Sequence, residues 1–314
     1  MIDERNIDGV AAIALTAPEH GIEAAFVPGA GMVGCSLTYR GQELLGQRGG
    51  LEAYVRERST MGIPLLHPWA NRVGSRRFEV AGREVDLDAA EPPPKTDPHG
   101  LPIHGLLSAA PGWEVTARQA ADDGGTLAAR FDFAAHAGLL RAFPFPHAVT
   151  IEVTLAGPVL RIATVVEATG DSTVPISFGF HPYVRIPTAA RSDWEVEIPV
   201  RERLLLDDRM LPTGQREAIA VEPGPLGTRT FDDAYLAPPA GEAFLVVGGG
   251  IRLEVAFESG YPYAQVYAPD DDDVIALEPM TAPTNALVTD GPELPVVQPG
   301  ASYRAAFSVT IGEG

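Results

Sequence analysis

Five short segments of the chain concentrate side chains that move protons or hold polar ligands. They are His67-Pro68-Trp69-Ala70-Asn71-Arg72-Val73-Gly74, Pro102-Ile103-His104-Gly105, Phe178-Gly179-Phe180-His181-Pro182-Tyr183, Phe231-Asp232-Asp233-Ala234-Tyr235 and Leu277-Glu278-Pro279-Met280-Thr281-Ala282-Pro283-Thr284-Asn285-Ala286. Glu278 and His181 share a local design: each closes an apolar, strand-like run and is followed at once by proline. The residue before proline is pushed to extended φ/ψ, and proline does not continue a central ladder. Both side chains are therefore expected at strand ends, on restricted backbones. A carboxylate and an imidazole held this way suit general base and general acid work near neutral pH. Singly, each signal has a bland reading: Glu-Pro is uninformative, an isolated histidine is more often structural, and Asn71-Arg72 reads equally as a surface turn with a salt bridge.

The elements that must position these groups are strands. Apolar residues alternate with period two along Thr150–Leu155 and, after a Gly157-Pro158 turn, along Val159–Val166, a strong antiparallel hairpin signal. Phe244–Val247, a break at Gly248-Gly249-Gly250, and Ile251–Phe257 repeat it. Further strands are expected at Arg77–Val80, Glu84–Leu87, Trp113–Ala117, Leu127–Phe133, Val174–Phe178, Trp194–Ile198, Ala264–Tyr267, Val274–Leu277 and Tyr303–Ile311. No stretch longer than about two turns holds a helical period, and 29 prolines and 33 glycines leave long helices little room. The expected class is all-β, with sheets packed face to face or closed. The run 91–98, with three consecutive prolines, reads as a rigid surface loop, and Asp270–Asp273 as a solvated turn without the ligand spacing of a calcium loop.

Composition narrows the function classes. At 314 residues with 45% hydrophobic usage, one large domain over 1–314 is the expectation. The net charge of −19, from 42 acidic and 23 basic residues, disfavours nucleic acid and anionic membrane surfaces. A neutral small molecule fits that field better. The lone Cys35 allows no intramolecular disulfide and no cysteine metal site, and Gly34-Cys35-Ser36-Leu37 reads as buried strand. No apolar run nears the ~20 residues of a membrane span, and the first residues lack a basic and apolar leader pattern. A cytoplasmic setting is expected, with no metal and no cofactor, as monomer or homodimer.

In combination the five segments resemble the aldose 1-epimerase (galactose mutarotase) family. The resemblance is carried by Ala70-Asn71-Arg72-Val73 with Gly74 and Phe78, His104-Gly105, His181-Pro182-Tyr183, Asp232-Asp233-Ala234-Tyr235 and Glu278-Pro279-Met280-Thr281, in that order along the chain. Arg76-Arg77 and Val184-Arg185 depart from the pattern. The resemblance implies a β-supersandwich of two large antiparallel sheets with a sugar cleft on one face. It implies Glu278 as base, His181 as acid and His104 as a second imidazole near the ring oxygen. Arg72, with neighbouring Asn71, and Asp232 would bind sugar hydroxyls, with Asp233 as the fallback aspartate. Trp69 and Tyr183 offer an apolar platform for a sugar face; core packing is the other reading for each, and is favoured for Phe180. His67 is placed near the cleft, while His136 and His147 have no constellation around them.

The activity so implied is mutarotation of a free aldohexose. Carboxylates near His181 are expected to raise its pKa and favour the acid form. Two readings on the same fold compete. One is an epimerase of a hexose phosphate or other anionic sugar, clamped by Arg72, Arg76, Arg77 and Arg185. The other is a non-catalytic carbohydrate-binding module. A glycosidase using Glu278 with Asp232 is a third, less favoured, reading.

Overall fold

The computed structural model describes Met1–Gly314, and nearly every regular element is an antiparallel strand. The hairpin read from the sequence is the centre of the largest sheet. His147–Ala156 pairs with Val159–Ala168 across Gly157-Pro158; Val149, Ile151, Val153 and Leu155 are buried while Glu152 and Ala156 face solvent. That sheet has nine strands, in the order Glu114–Ala121, Gly124–Asp132, His147–Ala156, Val159–Ala168, Ser302–Glu313, Ile251–Ser259, Phe244–Gly248, Glu195–Glu197 and Gly224–Pro225.

A second sheet, of eight strands, carries three of the five chemical segments, and a fourth follows directly on its edge strand Leu65–Leu66. Its order is Pro212–Ala218, Glu202–Leu206, Phe231–Leu236, Tyr263–Ala268, Ile275–Met280, Gly179–Phe180 and Leu65–Leu66, with Tyr183–Val184 also paired to Ile275–Met280. The two sheets stack: the Phe180 ring lies 5.2 Å from that of Phe307, and Val266, Leu277 and Val309 belong to one continuous core. Phe180 is thus a core residue.

A third, five-stranded sheet comprises Ile2–Ile7, Val10–Ala17, Ile22–Val27, Val33–Tyr39 and Gln42–Glu43. It goes beyond the strands named from the sequence, and the reason is visible in Val10–Ala17. Ile13, Leu15 and Ala17 enter the main core while Ala12 and Ala14 enter a second cluster, so both faces are apolar and alternation is lost. Cys35 lies buried in Val33–Tyr39, its Sγ 3.4 Å from the Ala25 carbonyl that accepts from it. Burial pushes that thiol up to about 12, which leaves it an unreactive packing residue. The longest helix, Gly50–Glu57, has eight residues, and no helix is long and apolar enough to cross a membrane.

Candidate active site

Register in the eight-stranded sheet decides which residues turn away from the core. Gln265 pairs with Glu278, and Tyr267 pairs with both Ala276 and Asp232. Opposed residues share a face and neighbours alternate, so Asp232, Gln265, Tyr267 and Glu278 stand together while Val266, Leu277 and Tyr235 enter the core. The same alternation turns Asp233 away, where it accepts a 3.3 Å hydrogen bond from Arg203 Nη1. Asp232, and not Asp233, lines the cavity on this face.

His181 reaches this face through a break in the ladder. Gly179 pairs with Met280 and Tyr183 with Ala276, leaving residues 277–279 without partners on that side. Pro182 and Pro279 lack the N–H a continuous ladder requires, so the break is written into the sequence. Across it His181 Nε2 lies 3.1 Å from Glu278 Oε1. The expectation that both residues end strands is thus half corrected: Glu278 sits within Ile275–Met280, and only His181 lies between strands.

Two left-handed residues bring up the remaining groups. Asn71 (φ 55°) and His104 (φ 63°) adjoin, the His104 amide donating to the Asn71 carbonyl at 2.9 Å, and Arg72 bridges Ile103. Such backbone costs roughly 1–3 kcal/mol per residue and persists where surroundings enforce it. Gly105, at φ 73°, approaches His67 so closely that a Cβ would lie 2.1 Å from the His67 carbonyl oxygen, which is why glycine follows His104. Asn285 braces the turn from the far segment: its Oδ1 accepts from the Gly74 amide at 2.7 Å and its own amide donates to the Arg72 carbonyl at 3.0 Å.

These groups enclose a cavity of about 610 Å³, lined among others by Glu278, His181, His104, Arg72, Asn71, Asp232 and Tyr183. Trp69 is the exception among the residues chosen from the sequence. Alternation sends Ala70 toward the cluster of Leu66 and Met280 and sends Trp69 the other way, fully buried in the main core. Trp69 therefore offers no face to a ligand. His67 is also away from the cavity. It is buried with Nε2 2.7 Å from His147 Nε2, and His147 Nδ1 donates to the Phe145 carbonyl at 2.6 Å, so His147 does have a constellation. That donor fixes the tautomers: His147 Nε2 accepts and His67 Nε2–H donates. Of the arginines proposed as an anion clamp, only Arg72 lines the cavity; Arg76 and Arg77 are paired on the surface with Asp88 and Asp86.

The structure adds residues that carried no motif. Arg72 Nε donates to Asp97 Oδ2 at 2.7 Å and Nη1 to Asn71 Oδ1 at 2.9 Å, with Nη2 4.0 Å from Asp232 Oδ2. Asp97 Oδ1 in turn accepts from the His99 and Leu101 amides. Gln265 Nε2 donates to Asp232 Oδ1 at 2.7 Å. Arg48 Nη1 donates to the Tyr183 hydroxyl at 3.1 Å, the Thr60 hydroxyl meets the same oxygen at 2.7 Å, and the Tyr183 ring stacks on His181 at 4.0 Å. Arg48 Nε lies 3.6 Å from Asp272 Oδ2, so the acidic turn reaches the site through Arg48. A buried glutamine in the apolar run Ala264-Gln265-Val266 is the one signal the sequence offered for these.

Electrostatics follow from burial. Glu278 is raised well above the usual carboxylate value, by burial first and then by Asp232, with Arg72 opposing. His181 is held well below its ordinary 6.5, by burial and then by His104 and Arg48. His104 falls to about 3 through burial and Arg72. The expected upward shift of His181 is therefore reversed: desolvation outweighs the carboxylates, because its nearest carboxyl is itself driven toward the neutral form. The pair shares one proton, which the dry environment places on Glu278. Glu278 Oε2, His181 Nδ1 and His104 Nδ1 are buried without protein partners. A contacting acid and base on a cavity wall serves two oxygens bonded to one carbon.

Comparison with known proteins shows the family and the fold. The family model described as Aldose 1-epimerase matches residues 14–310. The uncharacterized protein YihR of Escherichia coli (strain K12) is 22% identical over 261 residues, 79% of this chain and 80% of that protein. Among solved structures, a galactose mutarotase-like protein from Clostridium acetobutylicum superposes with a TM-score of 0.87 at 18% identity, covering 100% of this chain and 99% of that one. Slr1438 from Synechocystis sp. PCC 6803 gives 0.77 at 25% identity, over 99% and 98%. Galactose 1-epimerase from Lactobacillus acidophilus NCFM gives 0.79 at 14% identity, over 100% and 99%.

Proposed function

The chain belongs to the aldose 1-epimerase family and is an isomerase, and from that premise we propose that it interconverts the α and β anomers of a free aldohexose. The observation that carries this reading is the 3.1 Å contact between His181 Nε2 and Glu278 Oε1 at the wall of a polar cavity. Mutarotation acts on two oxygens of one carbon, the anomeric hydroxyl and the ring oxygen, so its acid and base must be neighbours.

In the reacting tautomer Glu278 is the carboxylate and His181 the imidazolium. Glu278 takes the proton of the C1 hydroxyl as the C1–O1 bond becomes a carbonyl; the C1–O5 bond breaks, and His181 delivers its proton to O5. Rotation about C1–C2 presents the other face, and the ring closes with both protons returned. The neutral pair favoured in the empty site holds the same proton count, so reaching the reacting form requires one transfer inside the contact and no exchange with solvent. Hydroxyls of the bound sugar beside the pair supply polar contacts that favour its charged form. Each positioned group contributes about 10²–10⁴-fold. Arg72, held by Asp97, and Asp232, held by Gln265, are preset to bind hydroxyls, which adds orientation.

Polarimetry of freshly dissolved α-D-glucose and α-D-galactose, with and without the protein, tests this reading. Faster relaxation to the anomeric equilibrium is expected for at least one. Relaxation at the spontaneous rate for both would overturn it, and acceleration confined to the 6-phosphates would transfer the activity to anionic sugars.

A further inference from the structure

A second cavity, of about 640 Å³, has Leu106, Pro111, Phe131 and Leu139 among its walls and is lined by neither Glu278 nor His181. Its apolar wall is closely packed from behind. Phe131 is fully buried, with the Trp113 ring at 5.5 Å and the Phe133 ring at 6.5 Å. The His136 ring lies flat on Phe131 at 4.4 Å, and Gly112 (φ 99°) passes so close that a Cβ would stand 3.2 Å from His136 Cε1. Cavities of roughly 300–1,000 Å³ with apolar walls and a few polar groups are the usual form of a small-molecule site.

Arg56, Arg58 and Glu91 are the charged residues of this cavity, and two of them are satisfied within the protein. Arg56 bonds to Glu52 and Glu57, and Glu91 pairs with Arg141 at 3.0 Å. The Arg58 guanidinium makes no ion pair and no hydrogen bond, although acids outnumber bases 42 to 23 in this chain. Partial burial pulls it below the ordinary arginine range, with no carboxylate opposing. Ser108, only 7% exposed, lines the same cavity, and its hydroxyl likewise has no hydrogen-bond partner in the protein. Polar groups in such settings normally have partners, so these two side chains on one cavity call for a partner from outside. A guanidinium and a hydroxyl together suit a carboxylate, whose two oxygens accept from both. The apolar wall suits a hydrocarbon body attached to it.

We propose that this cavity binds a small monocarboxylic acid with an aromatic or branched apolar body, its carboxylate held by Arg58 and Ser108 and its body against Phe131 and Leu139. The inference stands apart from the mutarotase reading. A neutral ligand would leave the guanidinium without a counter-charge, and a dicarboxylate would set its second charge against apolar wall. Arg58 and Ser108 line the reaction cavity as well, so an acid held from that side would use the same two groups. Residues that line the second cavity and not the first separate the two sites.

The test is calorimetric titration with 3-phenylpropionate, with 3-phenylpropionamide as the uncharged control and acetate as the control without a body. It is run on the wild type, Arg58→Asn, Ala135→Trp and Ala137→Trp. Asparagine removes the charge and tolerates the left-handed backbone (φ 56°) of position 58. Both alanines are exposed and line the second cavity and not the reaction cavity. Expected for 3-phenylpropionate is a Kd of about 1 mM or tighter. The amide and acetate should each bind about tenfold or more weakly, and the acid should lose about tenfold in Arg58→Asn and in at least one tryptophan variant. No saturable binding, an amide bound as tightly as the acid, or an affinity unchanged in Arg58→Asn overturns the proposal. Affinity lost in Arg58→Asn but unchanged in both tryptophan variants places the acid in the reaction cavity, and overturns it too. Thermal melts establish that each variant is folded. Either tryptophan variant carries its reading alone, and the ratio of acid to amide affinity carries the charge test should Arg58→Asn not fold.

Discussion

His181 Nε2 and Glu278 Oε1 approach to 3.1 Å across an interrupted rung of the eight-stranded sheet, while the outer atoms of both groups, His181 Nδ1 and Glu278 Oε2, meet no protein partner. The contact is short because two prolines remove the backbone pairing that would otherwise fill the space. Its dryness sets the proton inventory, and the proton inventory governs how activity responds to pH.

Glu278 is raised above 4.5 and His181 lowered below 6.5, so the one-proton form of the pair is bounded on the acid side by His181 and on the alkaline side by Glu278. Activity is expected to persist as pH falls through 6.5 and to decline only as His181 takes a second proton at lower pH. On the alkaline side it declines as Glu278 releases the shared proton, above the ordinary carboxylate range. A kcat/KM profile against pH checks this, read as macroscopic values of the pair. An acid limb centred on 6.5 would contradict it.

Glu278→Gln keeps the shape and removes the proton acceptor. The expected loss in kcat is about 10²–10⁴-fold. The thermal midpoint should hold or rise, since a buried ionisable group without full hydrogen bonding is costly to keep. Circular dichroism melts beside polarimetry separate the two effects; a lowered midpoint would assign the lost activity to misfolding.

Arg48 touches Tyr183, which stacks on His181, and its charge opposes protonation of that histidine. Arg48→Met is therefore expected to move the acid limb of the pH profile upward, toward 6.5, with folding preserved. Arg48 acts here as a positioning residue, and a profile identical to wild type would remove it from that role.

Four buried histidines, His67, His104, His147 and His181, are held below 6.5 chiefly by desolvation, with His147 at about 4 and His104 at about 3. The unfolded chain binds protons at these sites from about pH 6.5 downward while the folded chain does not. Their contribution to stability is therefore full above 6.5 and falls as pH drops from 6.5 toward 3, against the opposite slope of the raised Glu278. Thermal midpoints measured over that window should decline. His147→Phe, which removes one titrating group from beside His67, should flatten the decline; an unchanged slope would exclude the pair as a contributor.

Much of this protein is legible from its residues alone. Strict alternation in Thr150–Leu155 and Val159–Val166 dictates a half-buried antiparallel hairpin, because a period of two places every apolar side chain on one face. The proline after each of His181 and Glu278 marks where the ladder must break. Glycine after His104 marks a close backbone approach. Tertiary structure alone decided the rest. Register, set by pairing between strands distant in sequence, turned Asp232 inward and Asp233 away, and one step of alternation sent Trp69 to the core. Arg48, Asp97 and Gln265 joined the site through contacts across tens to hundreds of residues, for which no local pattern exists. The sign of the His181 shift was settled by burial, a property of the packed whole that no list of neighbouring carboxylates contains.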